Sequence, residues 1–237
     1  LPSHTLNGVR PRSRSALLAV AAALAAAPTL ALILNGCSGG SLDTSSSSAG
    51  PSSSATSTGS SPITSTFDGA ALPANGPPHD FTLTDESEEG DLVSLSEYHG
   101  QVVVLAFLYS TCGPTCIVIA QQIRGALDEL GTHPPHPVPV LFVSADPAAD
   151  TPARVRAFLR AVSLTGRVHY LTGSLAQLRP IWRSYGATPA SAGRAAFDNY
   201  ASVLLLDSSG RERVLFQSEQ LTPESLAHDI RRLQSQP

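Results

Sequence analysis

Residues 101–130 constrain the fold of this chain more than any other stretch: QVVVLAFLYS, then TCGPTC, then IVIAQQIRGALDEL. Val102 to Leu108 is an unbroken apolar run rich in β-branched side chains, the pattern of a central strand buried on both faces. Ile117, Ile119, Ala120, Ile123, Leu127 and Leu130 keep a helical rhythm that stops at Gly131. Cys112 and Cys116 sit where the strand gives way to the helix. Orphan backbone N–H groups and the positive end of the helix dipole gather at such a junction, and both favour a thiolate. Pro114 suits the first helical position, which makes Gly113 the cap and leaves Cys112 just outside the helix. Cys112 is therefore expected to be the more exposed sulfur and the nucleophile, with Cys116 the resolving thiol or second ligand. Four residues at helical rise span about 6 Å, within the Cα separation a disulfide tolerates. So short a loop constrains the unfolded chain little, so stability alone is a poor reason for the pair. A working dithiol is the expectation, and a disulfide that only staples the junction is its alternative.

The remainder falls into three parts. Residues 1–37 read as an export signal: Arg10, Arg12 and Arg14 precede an apolar, uncharged stretch from Ala16 to Leu34. It closes on Leu34-Asn35-Gly36-Cys37, which resembles a bacterial lipobox, so Cys37 is expected to be acylated and to become the mature N-terminus. An uncleaved transmembrane anchor is the alternative, since the run is nearly long enough to span a bilayer. Either places the rest of the chain outside the cytoplasmic membrane, where disulfides form. Residues 38–79, rich in Ser, Thr, Gly and Pro, bury too little surface to offset their ordering entropy and are expected to form a flexible tether.

Residues 80–237 hold the foldable part. Phe81–Thr84 and Leu92–Leu95 alternate around a turn, which predicts a small hairpin. Pro139–Ser144 is a second apolar strand, and Thr151-Pro152 caps a helix carrying Val155, Phe158, Leu159 and Val162 on one face. A short strand at His169–Leu171, a helix from Leu175 to Tyr185, strands at Ala201–Leu206 and Val214–Gln217, and a final helix after Thr222-Pro223 complete the order. This pattern implies one α/β domain with a mixed central sheet, flanked by helices and preceded by the hairpin. Beyond the three leader arginines, 12 Arg face 19 acidic residues, with no Lys at all. With no basic run and few aromatic residues, nucleic acid is not an expected partner.

Several motifs lie beside the cysteine pair: Phe81-Thr82-Leu83-Thr84-Asp85, Phe107-Leu108-Tyr109, Ser144-Ala145-Asp146-Pro147 with Asp150-Thr151-Pro152, Leu171-Thr172-Gly173, Tyr185-Gly186, and Leu206-Asp207 with Gly210. With the Cys-x₃-Cys pair, they make residues 80–235 resemble the Sco/SenC family. That resemblance implies a thioredoxin-like fold outside the cytoplasmic membrane and a part in inserting copper into cytochrome c oxidase. It implies Cys112 and Cys116 as copper ligands and thiols, and the copper-bearing oxidase subunit, or another extracytoplasmic thiol protein, as partner. Two departures stand out. The usual Cys-Pro-x-x-Cys is here Cys-Gly-Pro-Thr-Cys, and the family's third ligand, a His eight residues before the Asp that ends the late strand, falls on Asn199. An amide suits copper less well than an imidazole, so tight Cu(II) binding is expected to be lost while two thiolates still hold Cu(I).

Other candidates are weaker. His99, His169 and His228 read as half-exposed surface residues, His133 and His136 as parts of a rigid proline loop, and His79 precedes the domain and could swing in, though nothing in the sequence argues for it. Asp198 could orient or deprotonate a thiol, although a capping role is the plainer reading. Trp182 and Tyr185 read as core. The resemblance points to a copper-handling or cysteine-reducing assembly factor. Asn199 and the altered loop keep open a copper-independent thiol–disulfide oxidoreductase, and a non-catalytic module with a permanent disulfide is the third reading.

Overall fold

The structure, a computed structural model, describes residues 66–87, 90–131 and 138–236. The expected leader with Cys37, the tether up to residue 65, and His133 and His136 lie outside the described residues. Among those described, no helix is long and apolar enough to cross a membrane.

The apolar run of the sequence becomes β4 (Val103–Leu108), buried at every position. Sheet forms along both its edges: β5 (Val140–Ser144) runs parallel to it and β7 (Ser202–Leu206) antiparallel. Beyond β5 comes β6 (His169–Thr172), parallel, and then the expected hairpin of β2 (Thr82–Asp85) and β3 (Leu92–Ser94). On the other side β7 pairs with β8 (Glu212–Gln217), and β8 with β1 (Ala70–Ala71). The eight strands therefore run β1-β8-β7-β4-β5-β6-β2-β3, a mixed sheet of the kind the sequence predicts.

Alternation along β4 divides the core in two. Val104, Ala106 and Leu108 face one layer with α1 (Pro114–Leu130), α2 (Pro152–Ala161) and α5 (Pro223–Gln234). Val103, Leu105 and Phe107 face the other, with α3 (Leu175–Ser184). The α1–α5 approach depends on Gly125, where an added Cβ would stand 2.8 Å from the Pro223 ring.

Two elements escape the sequence reading. β1 lies within the stretch expected as tether, and the buried Asp229 carboxylate on α5 accepts the N–H groups of Asp68 and Gly69, each at 2.9 Å. Ordered contacts thus begin before residue 80. Between α3 and β7, where the sequence reading places no element, a turn at Ala190–Ala192 leads into the seven-residue helix α4 (Arg194–Tyr200).

Candidate functional site

The strand–helix junction forms as its sequence dictates. After β4 the chain turns, with the Cys112 N–H donating to the Tyr109 carbonyl at 3.1 Å. Gly113 caps α1 and Pro114 opens it. Gly113 has φ 86°, so the backbone conformation requires glycine here, and an added Cβ would also stand 3.0 Å from the mobile Arg194 guanidinium. Cys112 and Cys116 are joined in a disulfide, with Cα atoms 6.0 Å apart.

The expectation that Cys112 is the more exposed sulfur is not met. Cys112 is 1% exposed and Cys116 0%. Position outside the helix does expose a residue to the loop, but here the residue after Cys112 has the Arg194 guanidinium against it. Both cysteines share a buried cluster with Tyr109 on the β4 side and Phe197 of α4. The Tyr109 and Phe197 rings meet edge-on at 4.9 Å.

Beneath the junction lies a polar hub that sequence reasoning missed. Asp150, 3% exposed, accepts the Ser110 N–H and the Ser144 hydroxyl, each at 2.6 Å, and the Tyr170 hydroxyl at 2.9 Å. One carboxylate thus ties the ends of β4 and β5 to β6, two residues upstream of Cys112. The next layer is also fixed, since the Trp182 indole N–H donates to the Ser144 carbonyl at 3.0 Å. Burial pushes the Asp150 carboxyl above its usual range, against the pull of those hydrogen bonds. The Asp-Pro-x-x-Asp-Thr-Pro run reads as turn and cap. Thr151 does cap α2, accepting from the Arg154 N–H, but Asp150 holds the loop that carries the disulfide.

Charges surround the Tyr109 hydroxyl. Burial raises its pKa, Arg194 opposes that, and Asp198, Asp146 and Asp150 add to it. Two polar atoms nearby are buried without a hydrogen-bond partner, Ser110 Oγ and Asp198 Oδ1. Asn199 lies on α4 and is exposed. His79 stacks edge-on against Tyr185 at 5.4 Å. His169 pairs with the buried Asp85 carboxylate at 2.7 Å, on the β2–β6 side of the sheet. Trp182 and Tyr185 are core, as the sequence suggests.

A disulfide at the start of a helix that follows a central parallel strand, in a mixed sheet covered on both faces, defines a thioredoxin-fold dithiol protein. A model of the SCO1/SenC family matches residues 73–235, and the chain belongs to that family. The fold is similar to that of BsSco, from a study of a disulfide switch in this member of the Sco family of cytochrome c oxidase assembly proteins (20% identity, TM-score 0.57, 71% of this chain and 99% of that one). It is also similar to yeast Sco1 with copper bound (19%, 0.56, 68% and 96%). The thioredoxin domain of a thiol-disulfide oxidoreductase from Bacteroides vulgatus shares the fold as well (14%, 0.51, 68% and 98%). No curated protein sequence matches the chain.

The donor set bears on copper directly. Two sulfurs are soft donors that suit Cu(I) once the disulfide is reduced. Asn199, where the family resemblance would put a third ligand, is exposed. Among the described residues, the group of three His, Cys, Asp or Glu donors close enough to share a cation is Asp68, His228 and Asp229, and it includes neither cysteine. The two sulfurs therefore fit a soft Cu(I) site.

Proposed function

We propose that this chain is a membrane-tethered, extracytoplasmic Sco-type assembly protein that works through Cys112 and Cys116, with the copper subunit of cytochrome c oxidase as its partner. The observation that carries this reading is a disulfide-linked cysteine pair at the strand–helix junction of a SCO1/SenC domain. The lipobox-like run ending at Cys37 supports a lipid anchor.

In the reduced protein, two chemistries share the pair. Cu(I), as cargo, is held by two thiolates in an apolar surround that keeps out water and hard ligands. For cysteine reduction, the Cys112 thiolate attacks a partner disulfide, forming a mixed disulfide while the partner's other sulfur leaves as a thiolate and takes a proton. The Cys116 thiolate then attacks Cys112, freeing the second partner thiol and closing the Cys112–Cys116 bond. The partner gains two electrons and two protons, and an extracytoplasmic dithiol must restore them to this chain.

A second reading, a thiol–disulfide oxidoreductase that never holds copper, is favoured by the exposed amide at Asn199. Cu(I) titration of the reduced protein separates the two. Stoichiometric binding that Cys112→Ser abolishes supports the assembly factor. No binding beside rapid insulin-disulfide reduction supports the oxidoreductase. A disulfide that survives strong reductant in the folded protein defeats both and leaves a binding module.

A further inference from the structure

We infer that residues 187–200 form a strap that controls access to the disulfide, with Phe197 as its latch and Arg194 as its cover. The inference extends the proposed use of the site, since sulfurs that exchange partners must be reached and here both are buried.

The strap is held by little. Nothing in the turn at Ala190–Ala192 is buried, and Phe197 is the one buried residue of α4. Phe197 rests on Tyr109, the Arg194 guanidinium lies against Gly113, and the Ala190 N–H donates to the Ala145 carbonyl at 3.0 Å. Packing beneath is incomplete: a crevice of about 10 Å³, room for one water, is lined by Phe107, Thr188, Phe197 and Tyr200 among others. Asp198 Oδ1 is buried without a partner, so closure desolvates an acceptor and gives it nothing in return. Gly186 and Gly193, both at positive φ, supply joints on either side of the turn. A latch of one side chain, opposed by an unsatisfied carboxylate, opens locally without unfolding the sheet. Opening lifts Phe197 off Tyr109 and Arg194 away from Gly113, the residues that flank Cys112 in the chain.

The test is the rate at which dithiothreitol reduces the disulfide in the full chain. Two electrons and two protons pass to the cysteines while dithiothreitol closes to its cyclic disulfide. Loss of the latch in Phe197→Ala is expected to raise the rate about tenfold, with Phe197→Leu between it and the parent. Arg194→Ala is expected to raise it about threefold, while Arg194→Met, which keeps length and drops charge, stays within about twofold. The equilibrium ratio in a fixed dithiothreitol buffer should move less than either rate. Unchanged rates in Phe197→Ala and Arg194→Ala would overturn the strap. So would β4 amide exchange that quickens as much as reduction, which marks global loosening, or an equilibrium shift as large as the rate change, which marks redox tuning. None of these readouts depends on copper, so failure of the strap and failure of the copper reading are told apart.

Discussion

The floor and the roof of the disulfide are built on opposite principles. Below, Asp150 gathers three donors within 2.9 Å and Trp182 secures the Ser144 carbonyl above α3. Overhead, a seven-residue helix buries one aromatic ring, and its Asp198 Oδ1 finds no partner. A hub that ties three strands fixes where the cysteines stand. A cover held by one latch lets something else reach them. Position and access are thus assigned to separate parts of the chain, and substitutions that sort by floor and roof test the division.

The largest effect is expected on the floor. Asp150→Ala leaves the Ser110 N–H and the Ser144 and Tyr170 hydroxyls without their acceptor, and should lower unfolding free energy by about 3 kcal/mol. Urea denaturation checks this, and a loss below about 1 kcal/mol would show that the hub is not what holds the junction. Next comes the junction itself. Gly113→Ala forces a side chain into φ 86°, ψ −141° and against Arg194, for about 1–3 kcal/mol. A neutral outcome would mean that the turn before α1 readily adopts another conformation.

Acid sharpens the same comparison, because two buried aspartates titrate in opposite senses. Burial raises Asp150, so the folded state binds its proton more tightly than the unfolded chain. Its contribution to stability is fully present below pH 3.8 and is lost as pH rises through the raised folded value. Burial also opposes ionisation of Asp85, but hydrogen bonds from His169, Ser87 and the Tyr170 N–H outweigh it and hold that carboxyl below 3.8. Its contribution is present above pH 3.8 and is lost as pH falls through the lowered value. The stability gap between the parent and Asp150→Asn should therefore widen on acidification, whereas the gap to Asp85→Asn should close. Denaturation curves at several pH values measure both, and gaps that move in the same direction would contradict the assignment.

Much of this architecture is written locally in the sequence. The β-branched run before Tyr109, the Gly113-Pro114 start of α1 and the Thr151-Pro152 cap each depend on neighbours a few residues away, and each forms as expected. What escapes is long-range or too short to show a period. Asp150 finds Ser110 and Tyr170 at separations of 40 and 20 residues, a relation no window of sequence displays. The α4 segment buries only Phe197, so it has no helical stripe. β1 is two residues long and takes its order from β8. The burial of Cys112 goes with these misses, since the cluster that holds it includes Phe197 of α4.

The smallest expected effect is on the roof, and it is the most discriminating. Asp198 lies one residue before Asn199, so a reading centred on metal ligands would expect any change here to be harmful. Its buried Oδ1 makes no hydrogen bond, so removing the carboxylate forfeits little and relieves a desolvated acceptor. Asp198→Ala should thus leave unfolding free energy within about 0.5 kcal/mol of the parent, in either direction. Its disulfide should be reduced more slowly, because the closed strap no longer carries the unsatisfied oxygen. Asp150→Ala should do the reverse, with a large fall in stability. If Asp198→Ala instead loses as much stability as Asp150→Ala, the carboxylate has a partner that matters, and roof and floor are one structure.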